Sequence, residues 1–294
     1  MRLINVDTMK MEESIDDGNC LYLILSHTWT AEEISFQDYM WLQNHEEEVA
    51  DGVIDELPPK QLARAMAEAE ALRRRAGYKK VFNFIRRARR LLEEHSDSSP
   101  PTLNAGGRSP VYVWIDTCCI NKESSAELSE AINSMYRWYK RSDLCVALLT
   151  DVAGVVADPD GEFGKSRWFT RGGTLQELLA PDEVVFYNKR GKFIGYRSRI
   201  AGSIEAITPI RKEYLLDPAN RSRLRKAAVA QRMSWAAKRR TTRIEDKAYC
   251  LLGIFDVSMP LLYGEGSKSF AASSRRSSRP LTIKPSFPGA TIGM

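Results

Sequence analysis

LYLILSHTW, Leu21–Trp29, is a run of five apolar residues that stops abruptly at Ser26, His27 and Thr28. An apolar run of this length, closed by polar residues, fits a strand covered on both faces. Three more runs follow it. VYVWI (Val111–Ile115) ends in Asp116-Thr117-Cys118-Cys119, LCVALL spans Leu144–Leu149, and a fourth covers Val184–Tyr187. Phe193–Tyr196 is placed to pair with the fourth run across an Asn188–Gly191 turn. Helical spacing lies between the strands. Leu62, Met66, Ala69 and Leu72 form one stripe and Tyr78, Val81, Phe82, Ile85 and Leu92 another, with Gly77 expected to separate two helices. Ser124-Ser-Ala-Glu127 has the form of a capping box opening a helix through Lys140. Strands alternating with helices predict an α/β fold, a parallel sheet flanked by helices. Ligands of such sheets sit beyond the carboxyl ends of the strands. That rule puts Ser26–Trp29 and Asp116–Cys119 on one rim.

The remaining composition narrows the function classes. The 294 residues are 43% hydrophobic and 28% charged, ordinary for a globular protein able to bury a core. No apolar run approaches the roughly 20 residues of a membrane span, and the first residues lack the apolar centre of a signal peptide. Five cysteines, an odd number in mostly apolar surroundings, predict reduced thiols and an intracellular, cytoplasmic protein. The three histidines are not spaced with Cys, Asp or Glu as metal ligands are, so no metal site is expected. Residues 60–90 carry eleven Lys/Arg against two acids, and 211–243 another eleven against two. Aromatics are not interleaved with them, which favours solvated helix faces over nucleic-acid binding. A partner with a negative surface or a phosphate-bearing ligand is compatible with those stripes.

SRWFTRGGTLQELLAP, Ser166–Pro181, carries the chemistry. Its single acid, Glu177, has two readings. One is a catalytic carboxylate in a cleft; the other is a helix cap, since Thr174-Leu-Gln-Glu177 fits the reciprocal box. Beyond about residue 200 the pattern turns helical, with an amphipathic stretch at Ala227–Lys238 and a second capping-box pattern at Thr242-Arg-Ile-Glu245. Ser96–Pro110 has loop composition, and residues 271–294 are Ser/Arg/Pro-rich without periodicity, the signature of disorder.

Several of these segments, in collinear order, resemble the fungal heterokaryon-incompatibility (HET) domain: LSHTW (Leu25–Trp29), VWIDTCCIN (Val113–Asn121), SSAELSEAINSMYRWY (Ser124–Tyr139), SRWFTRGGTLQELLAP, RMSWAAKRRTTRIEDKAYCLLGIF (Arg232–Phe255) and MPLLYGEG (Met259–Gly266). The resemblance implies a domain over residues 1–270, with an insertion at about 91–110, a helical part at about 200–270, and the tail 271–294 outside it. It also implies an effector of cell death in nonself recognition, with self-association and incompatibility-signalling proteins as partners. HET domains are in turn similar to Toll/interleukin-receptor (TIR) domains, which have a flavodoxin-like sheet and in enzymatic members cleave NAD. This likeness implies Glu177 as the catalytic residue, NAD as a substrate rather than a resident cofactor, and Ser26, His27, Trp29, Asp116, Trp168 and Arg171 as the residues that hold it. A non-enzymatic interaction module is the alternative. The chain departs from the family pattern at Gly173, where relatives usually carry tryptophan, and at Thr30, where they carry glycine.

Overall fold

The computed structural model describes residues 1–13, 20–50, 58–95, 110–216, 224, 226–261 and 263. The disorder expected of 271–294 and the loop expected over 96–109 lie outside the described residues. All the expected strands are present as β3 (Leu21–His27), β4 (Val111–Ile115), β5 (Leu144–Leu149), β6 (Val184–Asn188) and β7 (Phe193–Tyr196). Two were missed: β1 (Arg2–Asn5) and β2 (Met11–Glu13), too short for periodicity to mark. Together they form one seven-stranded sheet of order β2-β1-β4-β3-β5-β6-β7.

The middle of the sheet is parallel: β3 pairs with β4 on one side and β5 on the other, and β5 with β6. Both margins are antiparallel: β6–β7 is the expected hairpin, and β1 with β2 adds an antiparallel pair beside β4. Counting the parallel strands alone, the order is second-first-third-fourth, so the winding reverses beside β3. That reversal opens a crevice between the carboxyl ends of β3 and its neighbours.

The long helices α1 (Phe36–Ala50), α2 (Pro59–Arg74) and α3 (Ala76–His95) connect β3 to β4, and α4 (Ser125–Arg141) connects β4 to β5. These two crossovers run in opposite directions along the sheet, and right-handed connections then place their helices on opposite faces. α3 packs on β3 and β4, while α5 (Thr174–Leu179) packs on β3 and against α4. The break between α2 and α3 falls at Arg75, two residues before Gly77; Gly77 lies in the first turn of α3, where its N–H donates to Glu32 O at 3.1 Å.

The capping boxes fare unevenly. Ser124 caps α4 by accepting from Glu127 N, but Glu127 reaches back to Asn121 N and pairs with Arg2, so half of the box forms. At Thr242–Glu245 no side-chain cap forms. The expected helix is instead two single turns, Asp246–Tyr249 and Leu252–Phe255, the second ending in left-handed Asp256 at φ 57. Before them come α6 (Ala201–Ile207) and α7 (Val229–Ala237), the latter within the amphipathic stretch read from sequence.

The β6–β7 hairpin closes through the Asn188–Gly191 turn, with Gly191 N donating to Asn188 O at 2.8 Å. Gly191 sits at φ +67, and a Cβ there would lie 2.6 Å from the end of Arg87. Arg87 can move aside, so the backbone sets the penalty. Gly191→Ala is expected to lower unfolding free energy by about 1–2 kcal/mol, measured from the urea midpoint at unchanged m-value.

Candidate active site

Glu177 lies on α5, and its position depends on what holds that six-residue helix. A strap formed by Arg239–Thr241 docks alongside the preceding loop: Arg240 N donates to Thr170 O at 2.7 Å and Gly172 N to Arg240 O at 2.8 Å. The buried Arg239 guanidinium donates through Nη1 to Arg171 O and to Thr174 Oγ1, both at 2.8 Å. At the other end, buried Arg197 donates to the carbonyls of Leu178, Pro181 and Asp182. Beneath the helix, Trp168, Phe169, Phe163 and Phe186 meet edge to face or stacked. A helix this short has little stability of its own; these partners fix it.

The capping reading of Glu177 is overturned. The N-cap position is Gly173 and no side chain caps the helix. The Thr174 hydroxyl is instead engaged by Trp168 O and Arg171 O. Glu177 turns inward, where Ser26 Oγ donates to its Oε2 at 2.5 Å. Trp168 Nε1 in turn donates to Ser26 Oγ at 2.8 Å. Ser26 and Trp168 are buried behind the carboxylate, so they hold Glu177 rather than face a ligand.

The carboxyl also borders a cavity of about 400 Å³, whose wall includes His27, Trp29, Asp116, Arg171 and Glu177. Five of the seven residues singled out from sequence therefore converge on one space. Burial, and after it the negative charge of Asp116, push the Glu177 carboxyl from 4.5 up to about 8. The hydrogen bonds from Ser26 and Tyr139 and the charge of Arg239 oppose this rise. Asp116 accepts from Trp29 Nε1 at 2.9 Å, fixing the half-exposed indole at the mouth. Lys122 Nζ lies 3.6 Å from the centre of that ring and the Arg171 guanidinium 5.6 Å. Burial lowers the Lys122 pKa, against the pull of Asp116. The His27 ring is fully buried, with Nε2 at 3.5 Å from Glu33.

Gly173 also borders the cavity, and a Cβ there would stand 3.3 Å from Glu177 Oε1. A side chain at this position would crowd the carboxylate, so glycine leaves it open to the cavity.

Sequence reading missed the opposite wall. Lys122, Arg243, Asp246, Tyr249 and Tyr263 all line the cavity, four of them from the helical region after residue 240. The available signal is the RTTRIEDKAY segment (residues 240–249), whose spacing also fits an ordinary helix. Among the described residues no group of His, Cys, Asp and Glu is arranged to hold a metal ion. No described helix is long and apolar enough to cross a membrane.

Residues 101–158, carrying β4, Asp116, Lys122 and α4, match the heterokaryon incompatibility protein (HET) family. The chain is also similar to vegetative incompatibility protein HET-E-1 of Podospora anserina, 47% identical over 163 residues, which covers 53% of this chain. Both similarities are to heterokaryon-incompatibility proteins. The match covers 12% of the relative's own length, so the chain corresponds to a small part of that protein. No solved structure matches the chain.

The raised Glu177 pKa has a consequence for stability. Between 4.5 and about 8 the folded chain holds a proton that the unfolded chain releases, so stability falls as pH rises through this window. Glu177→Gln keeps an acceptor for Ser26 and removes the titration. Its melting temperature relative to wild type is expected to be higher at about pH 9 than at about pH 5. A difference that stays constant across that range would contradict the assignment.

Proposed function

We propose that this domain is the effector part of a vegetative incompatibility protein, triggering cell death by cleaving the nicotinamide–ribose bond of NAD with Glu177. The observation that carries the reading is a buried carboxyl of raised pKa that opens onto a cavity rimmed by cations and aromatics. The second-first-third-fourth order of the parallel strands, which is also the flavodoxin-type order, supports the TIR likeness. The relative's name supports the biological role.

The chemistry asks little of the protein. The C1′–N bond breaks with its electron pair leaving on nicotinamide, which departs neutral and needs no general acid. The ribosyl cation is captured by water, which loses its proton. Ionised Glu177 stabilises the positive charge at C1′, as one half of the two-carboxylate glycosidase scheme. Arg171, Lys122 and Arg243 are the groups for the diphosphate, and Trp29 is the face for a ring. A cationic nicotinamide ring beside Glu177 favours its ionised form, so binding drives off the proton that burial retains.

The non-enzymatic alternative, self-association and docking of incompatibility-signalling proteins, drew on Glu177 as a cap, and α5 has no such cap.

Purified domain at high concentration, incubated with NAD, is expected to release nicotinamide. Glu177→Ala and Glu177→Gln are expected to reduce the rate by about 10²–10³. The kcat/KM profile is expected to rise with pH toward the free-domain value of about 8. No release by wild type, or equal release by both variants, rules NAD cleavage out. Undiminished killing by Glu177→Gln in fungal cells favours the docking role.

A further inference from the structure

Alternation along the strands sends neighbouring residues to opposite faces of the sheet. Ser26 and Cys145 face α5, where Ser26 meets the Glu177 carboxylate and Cys145 Sγ lies 3.9 Å from Glu177 O. Leu25, Val146 and Leu148 border a different cavity, of about 700 Å³, between the sheet and α3. It opens at the same carboxyl-terminal rim, beside Thr30, Thr150 and the β6–β7 turn. Its size lies within the roughly 300–1,000 Å³ of small-molecule sites.

Its walls are chemically divided. The floor is apolar, made by Leu25, Val146 and Leu148 with Phe84 and Leu91 of α3. The rim is cationic: Lys79, Lys80, Arg87, Lys189 and Arg190 line it, and among the described residues no carboxylate does. Lys80 is committed to Glu33, and Arg87 donates to Gly191 O at 3.3 Å. The carboxylate of Glu162, which accepts from the N–H groups of Ala153 and Gly154 and stays charged, reaches Lys189 and Arg190 with its field and offsets them in part. Lys79, Lys189 and Arg190 thus outnumber the acid whose field reaches the turn. Gly191, by lacking a side chain, leaves room for the Arg87 guanidinium between the turn and the Tyr187 ring.

We propose that this cavity is a second ligand site, on the sheet face opposite Glu177, for a small organic phosphate whose ring seats on the apolar floor while its phosphates meet Lys79, Lys189 and Arg190. An apolar floor with a cationic rim asks for both parts in one molecule: an uncharged ring lacks the ion contacts, and a free phosphate lacks the burial. The site is independent of any chemistry at Glu177.

Calorimetric titration with ADP, adenosine and pyrophosphate at low salt tests it. The Arg171→Glu background is used so that anion binding in the Glu177 cavity is suppressed. ADP is expected to bind at least tenfold tighter than either fragment, and to weaken as salt is raised. Adding Lys189→Glu and Arg190→Glu, both on the exposed turn, is expected to weaken ADP at least tenfold while circular dichroism and melting temperature stay unchanged. No ADP binding, equal affinity for pyrophosphate and ADP, or an affinity untouched by the turn substitutions would each overturn the proposal. Nicotinamide release from NAD by Lys189→Glu/Arg190→Glu alone reads the Glu177 site separately, so the two can fail independently.

Discussion

The hydrogen bond from Ser26 Oγ to Glu177 Oε2 organises this domain. It joins the end of β3, the central strand, to a six-residue helix that could not hold its place unaided. Trp168 completes the chain from behind, donating to the same serine. Burying a carboxyl is expensive unless it is protonated or well bonded, and here both remedies operate: the pKa rises to about 8 and the hydroxyl donates to it. The same arrangement that makes the acid tolerable in the interior leaves it responsive to any cation entering the cavity.

Much of the surrounding structure serves that placement. Arg239 and Arg197 clamp the two ends of α5 through carbonyl groups rather than carboxylates. Neutral acceptors bind a guanidinium without cancelling its charge, so the Glu177 site retains the positive field of Arg239. Asp116 acts in the opposite sense: it steadies Trp29 and raises the Glu177 pKa by its negative charge. The mouth is thus balanced between one acid that opposes ionisation of another and a set of cations that favours anionic ligands.

The sheet presents this rim on both faces. Leu25 and Ser26, adjacent in sequence, face opposite sides of the sheet, Leu25 toward the second cavity and Ser26 toward Glu177, because a strand alternates its side chains. His27 touches Glu33, which pairs with Lys80 on the wall of the second cavity, so the two spaces share a line of ionisable groups at the end of β3. Burial pushes Glu33 up, but its contacts with His27 and Lys80 hold it down at about 2.

The sequence alone determined the five strands from β3 to β7, the α/β class and the rim. LYLIL, VYVWI and LCVALL are continuous apolar runs, and only a doubly covered strand needs that pattern. It also singled out the residues around Glu177, because SHTW and SRWFTRGGTLQE combine polar and aromatic groups where strands end. It did not reveal β1 and β2, whose few residues carry no period, nor the split of the helix after Thr242. Only the tertiary structure chose between cap and buried acid for Glu177. Thr174 and Glu177 have the right spacing for a box, but spacing is local, and the partners that won are distant in the chain: Ser26, and Arg239 on the strap. The far wall of the cavity, from Arg243 to Tyr263, was hidden for the same reason. A pattern along the chain reports which face of an element is apolar; which other element supplies the polar contact is decided only when the chain folds back on itself.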